Sequence, residues 1–436
     1  MSRRVFLLLL VFCGCALRAD AQTLRSEVQR LFTFGCPAVS SQLICLDLSA
    51  PFQHGTHFNP SADTAGLEFV SFVQSSIGIS VANTPITSAA GGKTFRFEGG
   101  RPVATSTSAG PILGERAQTL GRGRFFVGFG LAQMDFQELR GVPLGNVAFT
   151  FTHEDVDSVG NPTTNNLGNP NFENDVINVK VAMDVSLMVA SLSMSYGLVD
   201  GVDVGVTVPF VRTSVRGTST ATIVPANPQF ILHFFDSTSA GKIVTARSSA
   251  SGVATGLGDV EGHIKINIAQ GQRFGAALFG SARFPTGDAD NLLGTRRFSA
   301  RGLGIVSANW GTFSPHLNVG YTVRDDSVQN NTIDATLGYD QLISPWATMA
   351  FDVVSAWQVG PTHLQVPKPV QYVFPVARTL AVTNIPQQPD NYMSVAVGFK
   401  FTTKRGIQLV SNASFPVRNS GLQPGVIWTG SIGYNF

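Results

Sequence analysis

Strict alternation of apolar and polar residues is the feature that most constrains this chain. In residues 259–268, the polar side chains of Glu261, His263 and Lys265 alternate with Val260, Ile264 and Ile266. Successive side chains of a strand point to opposite faces, so this period predicts one apolar and one polar face. A tilted transmembrane strand needs about 9–11 residues. Segments of this kind are therefore long enough to cross a bilayer as strands.

The pattern recurs often enough to build a barrel. Bacterial outer-membrane barrels have even strand numbers, so we predict an all-β fold, an antiparallel transmembrane β-barrel of fourteen strands, with twelve as the alternative. A soluble sandwich or propeller would also alternate, but its strands average about 5–6 residues. The predicted strands are 66–82, 124–136, 145–153, 176–197, 201–216, 259–268, 273–284, 299–310, 316–324, 332–340, 346–358, 391–403, 406–417 and 425–436.

Composition and the N-terminus agree with an exported membrane protein. Only 13% of residues are charged, against roughly 25% in soluble domains. Arg3 and Arg4, an apolar stretch and Ala19-Asp20-Ala21 predict a signal peptide, residues 1–21, cleaved after Ala21. A lipoprotein signal centred on Cys15 is the alternative. The mature chain then has no net charge, so it lacks the basic excess of a nucleic-acid-binding protein.

The N-terminal part of the mature chain is expected to differ from the barrel. Leu24, Val28 and Leu31 have helical spacing, which predicts a short amphipathic helix. Cys36 and Cys45 are close in sequence and predict a disulfide after export, although two free buried thiols would also fit. We therefore predict a segment 22–65 at the periplasmic mouth or partly plugging it, followed by a barrel from 66 to 436.

Aromatic residues and connection lengths predict the orientation. Trp310, Trp346, Trp357 and Trp428 fall near segment ends, as expected of an interfacial girdle. Short turns at 198–200, 270–272, 311–313, 343–345 and 403–405 are assigned to the periplasm. Loops 154–175, 217–255, 286–298 and 359–390 are assigned to the outside. The last segment ends on Phe436 and resembles the C-terminal strand that the barrel-assembly machinery reads in outer-membrane proteins.

Four short stretches carry a narrower resemblance. They are residues 110–117 (GPILGERA), 196–200 (YGLVD), 256–260 (GLGDV) and 283–288 (RFPTGD). Over residues 110–436 the chain resembles the outer-membrane barrels associated with the MetA pathway of phenol degradation, also described as transporters. The resemblance implies a barrel that passes hydrophobic or aromatic compounds, in contact with outer-membrane lipid. It supplies no catalytic or ligand-binding residues, and residues 22–109 lie outside it.

The polar faces define a candidate lumen of mixed charge. Charged groups that face inward must be paired or hydrated, which predicts a narrow lumen with little ion flow. Apolar stretches 229–235 and 370–376 in the long loops predict a region where a hydrophobic solute enters, although packing between loops is the alternative. The predicted lumen-lining residues are Asp259, Glu261, His263, Lys265, Arg283, Arg324, Asp334, Asp340, Asp352 and Lys400, and the loop aromatics are Phe230, Phe234, Phe235, Tyr372 and Phe374.

Signals for catalysis or metal binding are weak. The sequence contains no G-x-S-x-G, H-E-x-x-H or C-x-x-C motif, so we expect neither an enzyme nor a cofactor. His54 and His57 have ligand spacing but lie in a Gly/Pro-rich stretch, and Asp288, Asp290 and Asn291 fit an ordinary acidic turn better than a calcium site. The sequence thus favours an outer-membrane channel for small hydrophobic molecules over an adhesive or structural barrel.

Overall fold

A computed structural model gives the fold for most of the mature chain. It describes residues 22–37, 42–49, 59–82, 95–98, 101–104, 109–153, 175–325, 328–372, 378–403, 405–418 and 420–436. The predicted signal peptide, His54, His57 and Phe374 lie outside the described residues, and the side chain of Tyr372 is also outside them. Among the described helices, none is both long and apolar enough to cross a membrane.

Twelve antiparallel strands form a closed ring. Each strand pairs with the next along the chain, and the twelfth pairs with the first from Leu422↔Leu139 to Asn435↔Phe126. The predicted all-β antiparallel barrel is confirmed, with the alternative count of twelve. The strands are β1 Phe125–Leu139, β2 Val176–Val199, β3 Val202–Val224, β4 Val260–Gln270, β5 Phe274–Phe284, β6 Ser299–Ala308, β7 Phe313–Arg324, β8 Thr332–Ser344, β9 Ala347–Gln358, β10 Tyr392–Thr402, β11 Ile407–Pro416 and β12 Leu422–Asn435.

Two of the fourteen predicted strands are not barrel strands. Residues 66–82 belong to a helix, Asn59–Ala82, because Phe69, Val73 and Ile77 repeat every four residues and are buried along one helical face. Residues 145–153 contain only the short strand Val147–Thr152, which pairs with the far end of β2 and leaves the ring unchanged. The barrel therefore begins at Phe125 rather than at residue 66.

Connection lengths distinguish the two ends of the barrel. At one end β2–β3, β4–β5, β6–β7, β8–β9 and β10–β11 are joined by short turns at the predicted positions. At the other end the connections β1–β2, β3–β4, β5–β6 and β9–β10 are long, whereas β7–β8 and β11–β12 are short. Short turns are periplasmic and long loops extracellular in outer-membrane barrels, and the fold places this protein in the bacterial outer membrane.

β2 and β3 are much longer than the other barrel strands. They have 24 and 23 residues and stay paired from Val199↔Val202 to Val176↔Val224. In the periplasmic half of β3 the outward residues are Val202, Val204, Val206, Val208 and Phe210, whereas the next outward positions are Arg212, Ser214 and Arg216. The outer face thus changes from apolar to polar between Phe210 and Arg212, which marks the extracellular limit of the lipid-facing surface.

Above this limit the same strands form a four-stranded sheet, here called the extracellular sheet. Its order is Val147–Thr152, β2, β3 and Thr245–Leu257. Strand Thr245–Leu257 continues into β4 after a break at Gly258 and Asp259 and pairs with the upper part of β3. The sequence predicted a loop at 217–255. This sheet was missed because the outward face of its strands is polar above the membrane and the inward face is apolar, the reverse of the pattern in the barrel.

Two helices cover one face of the extracellular sheet. They are α1, Leu24–Arg30, and α2, Asn59–Ala82. Phe69 of α2 stacks on Phe149 of the sheet with ring centroids 4.9 Å apart, and Phe32 meets Phe69 at 5.3 Å. Aromatic groups buried in this way contribute most of a small core. The extracellular sheet and the two helices therefore form a packed unit outside the membrane.

The N-terminal segment lies at the opposite end from the one we predicted. The Thr23 side chain caps α1 by accepting a hydrogen bond from the Ser26 amide, and the helix contacts strand Thr245–Leu257. Arg25 donates its amide to the Asp290 carbonyl at 3.0 Å, in an extracellular connection. The predicted helix is present, but it packs at the extracellular end because the apolar core there covers its apolar face. Cys36 and Cys45 form a disulfide with Cα atoms 4.8 Å apart.

The remaining elements are short. A 3-10 helix spans Leu144–Asn146, after the two-residue strand Val142–Pro143 that pairs with the end of β1. Three further hairpins complete the described elements: Phe95–Glu98 with Arg101–Ala104, Asp236–Thr238 with Gly241–Ile243, and Val370–Tyr372 with Arg378–Leu380.

The four tryptophans project from the outer wall near strand ends or at the polarity change. Trp310 and Trp346 lie at periplasmic turns, and Trp357 is the penultimate residue of β9 at the extracellular end. Trp428 lies inside β12, but its partner in the register is Gln133, where the outer face of β1 changes from Leu131 to polar residues. All four rings are at least 40% exposed on the barrel surface, as an interfacial girdle requires.

Candidate functional site

Residues 109–121, here called the plug segment, cross the periplasmic half of the lumen. The backbone amides of Ile112, Leu113 and Gly114 all donate to Asp352 Oδ2, at 3.1, 2.7 and 3.2 Å. Asp352 also lies 2.8 Å from His316 Nε2, and both side chains are fully buried. A carboxylate that accepts several backbone amides holds the chain firmly in place. Asp352 therefore anchors the plug segment to the wall.

Two ion pairs fix the centre of the plug segment. Glu115 binds the Lys265 ammonium of β4, and Arg116 binds Asp340 of β8 through both a short contact and an Nε–Oδ1 hydrogen bond of 3.2 Å. These groups are nearly excluded from solvent, so each charge depends on its partner. Lys400 of β10 is also buried on the inner face. The plug segment thus has one negative and one positive side chain, and each pairs with a side chain of opposite charge on the barrel wall.

Polar contacts complete the attachment. The Glu115 amide donates to Asn318 Oδ1 at 2.7 Å, and Asn318 Nδ2 donates back to the Glu115 carbonyl at 2.8 Å. The Leu120 amide donates to Asp203 Oδ2 at 2.8 Å. Gly121 then turns the chain out of the lumen with a φ of 90°, against Gly197 of β2, where any Cβ would collide with the Gly121 carbonyl.

Helix α2 and the loop between β9 and β10 lie over the extracellular mouth of the barrel. Ser80 of α2 donates to the Leu422 carbonyl at the top of β12 at 3.2 Å. Arg140, which follows β1, pairs with Asp390 at 2.7 and 2.8 Å and donates to the Leu364 carbonyl at 2.8 Å. The Arg140 guanidinium also lies 4.9 Å from the centre of the Phe72 ring in α2. Arg140 thus ties the loop between β9 and β10 to the helix. Together α2 and this loop form what we call the roof.

A cavity of about 330 Å³ lies between the roof and the plug segment. Ile79 and Ser80 of α2 line its upper side, and Leu113 of the plug segment lines its lower side. Ligand pockets typically measure about 300–1,000 Å³. The cavity is therefore large enough for a small molecule, and its described lining extends from the roof to the plug segment.

The structure divides most of the predicted lumen residues into two groups. Lys265, Asp340 and Asp352 hold the plug segment, with Lys400 buried nearby, whereas Glu261, Arg283, Arg324 and Asp334 line the cavity. His263 lies 3.3 Å from Ser195 Oγ and stacks on Phe279 at 5.6 Å. Asp259 departs from the prediction: it accepts from the Gly287 and Thr295 amides at 2.9 Å and holds a loop.

The loop aromatics do not form the exposed patch that the sequence suggested. Phe230 is 57% exposed, but Phe234 is 2% exposed and lies beneath the Lys242 ammonium at 4.7 Å. Phe235 packs against the core of the extracellular sheet. The alternative of packing within the extracellular unit therefore describes Phe234 and Phe235 better than a solute entrance does.

Sequence reasoning missed the plug segment although it had singled out the residues. Residues 110–117 were noted only as a point of resemblance, and the plug was expected within 22–65. A signal was present, since Glu115-Arg116 lies about eight residues before the first barrel strand and offers opposite charges to inward-facing Lys265 and Asp340. Asp288, by contrast, accepts hydrogen bonds from Asp290 and Asn291 as an ordinary turn residue does.

Comparisons with known proteins find only weak structural similarities. No family model and no curated protein matches the sequence. Among solved structures, an outer-membrane channel from Pseudomonas putida F1 is similar at 12% identity, covering 73% of this chain and 97% of that chain, with a TM-score of 0.40. A Pseudomonas aeruginosa FadL homologue has 10% identity, coverage of 72% and 88%, and a TM-score of 0.29.

A deletion mutant of TodX, a monoaromatic hydrocarbon channel, is also similar at 10% identity, with coverage of 72% and 89% and a TM-score of 0.29. The fold and site themselves define the class. The protein is a twelve-stranded outer-membrane β-barrel whose lumen contains a plug segment below and a roof above.

Proposed function

We propose that the protein is an outer-membrane channel that admits small hydrophobic or aromatic molecules in steps. The observation that carries the proposal is the cavity between the roof and the plug segment. A general porin needs a continuous water path, whereas a barrier on each side of a binding cavity suits selective passage. Insertion would depend on the barrel-assembly machinery, which fits the alternation of outward and inward residues along β12.

Passage requires the plug segment to move, and its contacts indicate how it is held. Three amides on Asp352 and the two ion pairs keep it closed in the resting state. Breaking a buried ion pair by removing one partner typically costs about 3–5 kcal/mol. Loss of Glu115 and Arg116 together should therefore free the segment from the wall, while leaving unpaired charges that attract water.

Planar-bilayer recordings test this gate. The natural protein should show little steady conductance, and the double variant Glu115→Gln, Arg116→Gln should show frequent openings. Arg122→Gln provides a matched control, because Arg122 is exposed just beyond the plug segment. Large, steady and unselective conductance of the natural protein would show an open porin and contradict the proposal.

Liposome uptake tests the kind of solute. Arbutin, a phenyl glucoside, should enter proteoliposomes faster than methyl glucoside, and the double variant should speed both. Equal rates for the two solutes would remove the aromatic preference. If neither solute enters through any variant, an adhesive or structural barrel becomes the better description.

A further inference from the structure

The cavity has two walls of different chemistry on opposite sides of the ring. Met134 and Phe136 of β1, with Ile427 of β12, form an apolar wall. In a ring of twelve strands, β1 and β12 lie opposite β7 and β6. That opposite wall carries Arg301 of β6 and Arg324 of β7, next to Arg283 of β5. A molecule in the cavity would thus contact apolar side chains on one side and guanidinium groups on the other.

The register brings these arginines together on one face. Ser299 of β6 pairs with both Arg283 and Arg324, and Arg301 follows two residues further along the same face. Neighbouring strands lie about 4.8 Å apart, so Arg283 and Arg324 start from backbone positions about 10 Å apart. Their side chains line one cavity, together with Arg297 from the loop before β6.

Positive charge exceeds negative charge among the described lining residues. Arg283 pairs with Glu261 at 3.0 Å, and Arg301 Nε lies 3.5 Å from Asp334 Oδ2. The third lining carboxylate, Asp390, is held by Arg140, which does not line the cavity. The described lining thus carries four arginines and three carboxylates. Concentrated like charge beside an apolar wall is stabilised by a bound anion.

Arg301 is the group best placed for such an anion. Its side chain is 40% exposed, and its Nε makes no hydrogen bond to the residues that the structure describes. The neighbouring carboxylate of Asp334 accepts instead from Thr322 Oγ1 and, at 2.9 Å, from Thr332 Oγ1. Arg301 can therefore offer its guanidinium to a ligand without leaving Asp334 unsatisfied.

We infer that the cavity binds small amphipathic carboxylates, with the carboxylate on the arginines of β5–β7 and the apolar part against β12 and β1. The inference rests on the proposed channel function and narrows its substrate class. Guanidinium groups bind carboxylates through two parallel hydrogen bonds, which ammonium groups do not reproduce. An aromatic or short aliphatic acid is thus expected to bind better than its neutral analogue of the same shape.

Calorimetry on the detergent-solubilised protein tests the inference with benzoate and its near-isosteric neutral analogue, benzamide. Benzoate should bind about tenfold more tightly, as one charge-assisted hydrogen bond allows. Arg301→Gln should reduce benzoate binding about tenfold and leave benzamide binding unchanged, while Arg301→Lys should restore only part of it. Arg247→Gln is the matched control, because Arg247 is exposed on the extracellular sheet.

Equal affinity for benzoate and benzamide, or equal loss in Arg301→Gln and Arg247→Gln, would overturn the inference. Correct folding of each variant is checked by the heat-modifiable migration of barrels on gels. Arbutin uptake measured in parallel separates the two ideas. If uptake persists while benzoate has no advantage, the channel function stands and the anion site fails. If benzoate binds through Arg301 and no solute enters, the site stands and transport fails.

Discussion

The periplasmic and extracellular halves of β2 and β3 share one hydrogen-bonded ladder but have opposite faces. In the lower half of β2 the inward residues are Ser191, Ser193 and Ser195, whereas in the upper half they are apolar, such as Val181 and Val185. The outward residues of β2 are apolar in the lower half and mostly polar in the upper half. The backbone hydrogen bonds are the same in both halves. The surroundings of each face, which are lipid, water or packed side chains, therefore determine which face is apolar.

The comparison shows how one hairpin serves two environments. Below Phe210 the outer face meets lipid and the inner face meets a polar lumen. Above Arg212 the outer face meets water and the inner face meets α1 and α2. A substitution of the same chemistry should therefore have opposite consequences in the two halves. The following changes test that rule, beginning with the largest expected effect.

Phe149→Ala should be the most damaging change, because it removes a buried ring from the core of the upper half. Phe149 is 1% exposed and contacts Phe69 and Phe151 at 4.9 and 4.7 Å between centroids. We expect a loss of about 3–5 kcal/mol in local unfolding free energy. Hydrogen exchange of the β2 amides in residues 176–187, the extracellular half of that strand, would measure it. Met183→Leu, in the same core, should cost under about 1.5 kcal/mol.

Val206→Arg should destabilise the barrel by about 2–4 kcal/mol, because Val206 faces lipid midway between the periplasmic turn and Phe210. Thr218→Arg, on the same outer face of β3 but above the membrane, should change stability by no more than about 0.5 kcal/mol. Denaturant titration in lipid vesicles, followed by tryptophan fluorescence, compares them. Similar costs for both would refute the assigned membrane limit.

Removing the disulfide should weaken only the upper half. Replacement of Cys36 and Cys45 by alanine opens a loop with a sequence separation of 9 residues, and we expect a cost of about 2–3 kcal/mol. Limited proteolysis near α1 should become faster while the denaturation midpoint of the barrel stays constant. Reductant added to the natural protein serves as an independent control. An equal shift of the barrel midpoint would argue that the halves unfold together.

Ser193→Ala should have the smallest effect, about 1 kcal/mol, through loss of its hydrogen bond to Thr207 Oγ1 at 3.1 Å in the lumen. Ser186→Ala, outward and near the membrane limit, should be close to neutral. A double-mutant cycle with Thr207→Val isolates the pair. Stabilisation by Ser193→Ala would mean that this part of the lumen is effectively apolar.

The membrane-spanning part of the fold follows from local sequence, and the site does not. Alternation and short turns are properties of neighbouring residues, so the barrel and its periplasmic turns were predictable. Residues 66–82 were wrongly predicted as a strand. Phe69, Val73 and Ile77 are four residues apart, a spacing that places them on one face of either a helix or a strand. The plug contacts join residues 150 and 224 positions apart, and no periodicity records such pairs.

The position of the N-terminal unit also bears on how the plug segment is enclosed. α1 and α2 lie outside the membrane, yet β1, which follows them in the chain, starts at the periplasmic end. The ring is complete only when β12, the last strand, pairs with β1. Residues 109–121 lie between the N-terminal unit and β1 in the chain and inside the ring that β1 and β12 complete. The plug segment is consequently surrounded by the barrel once this pair of strands has formed.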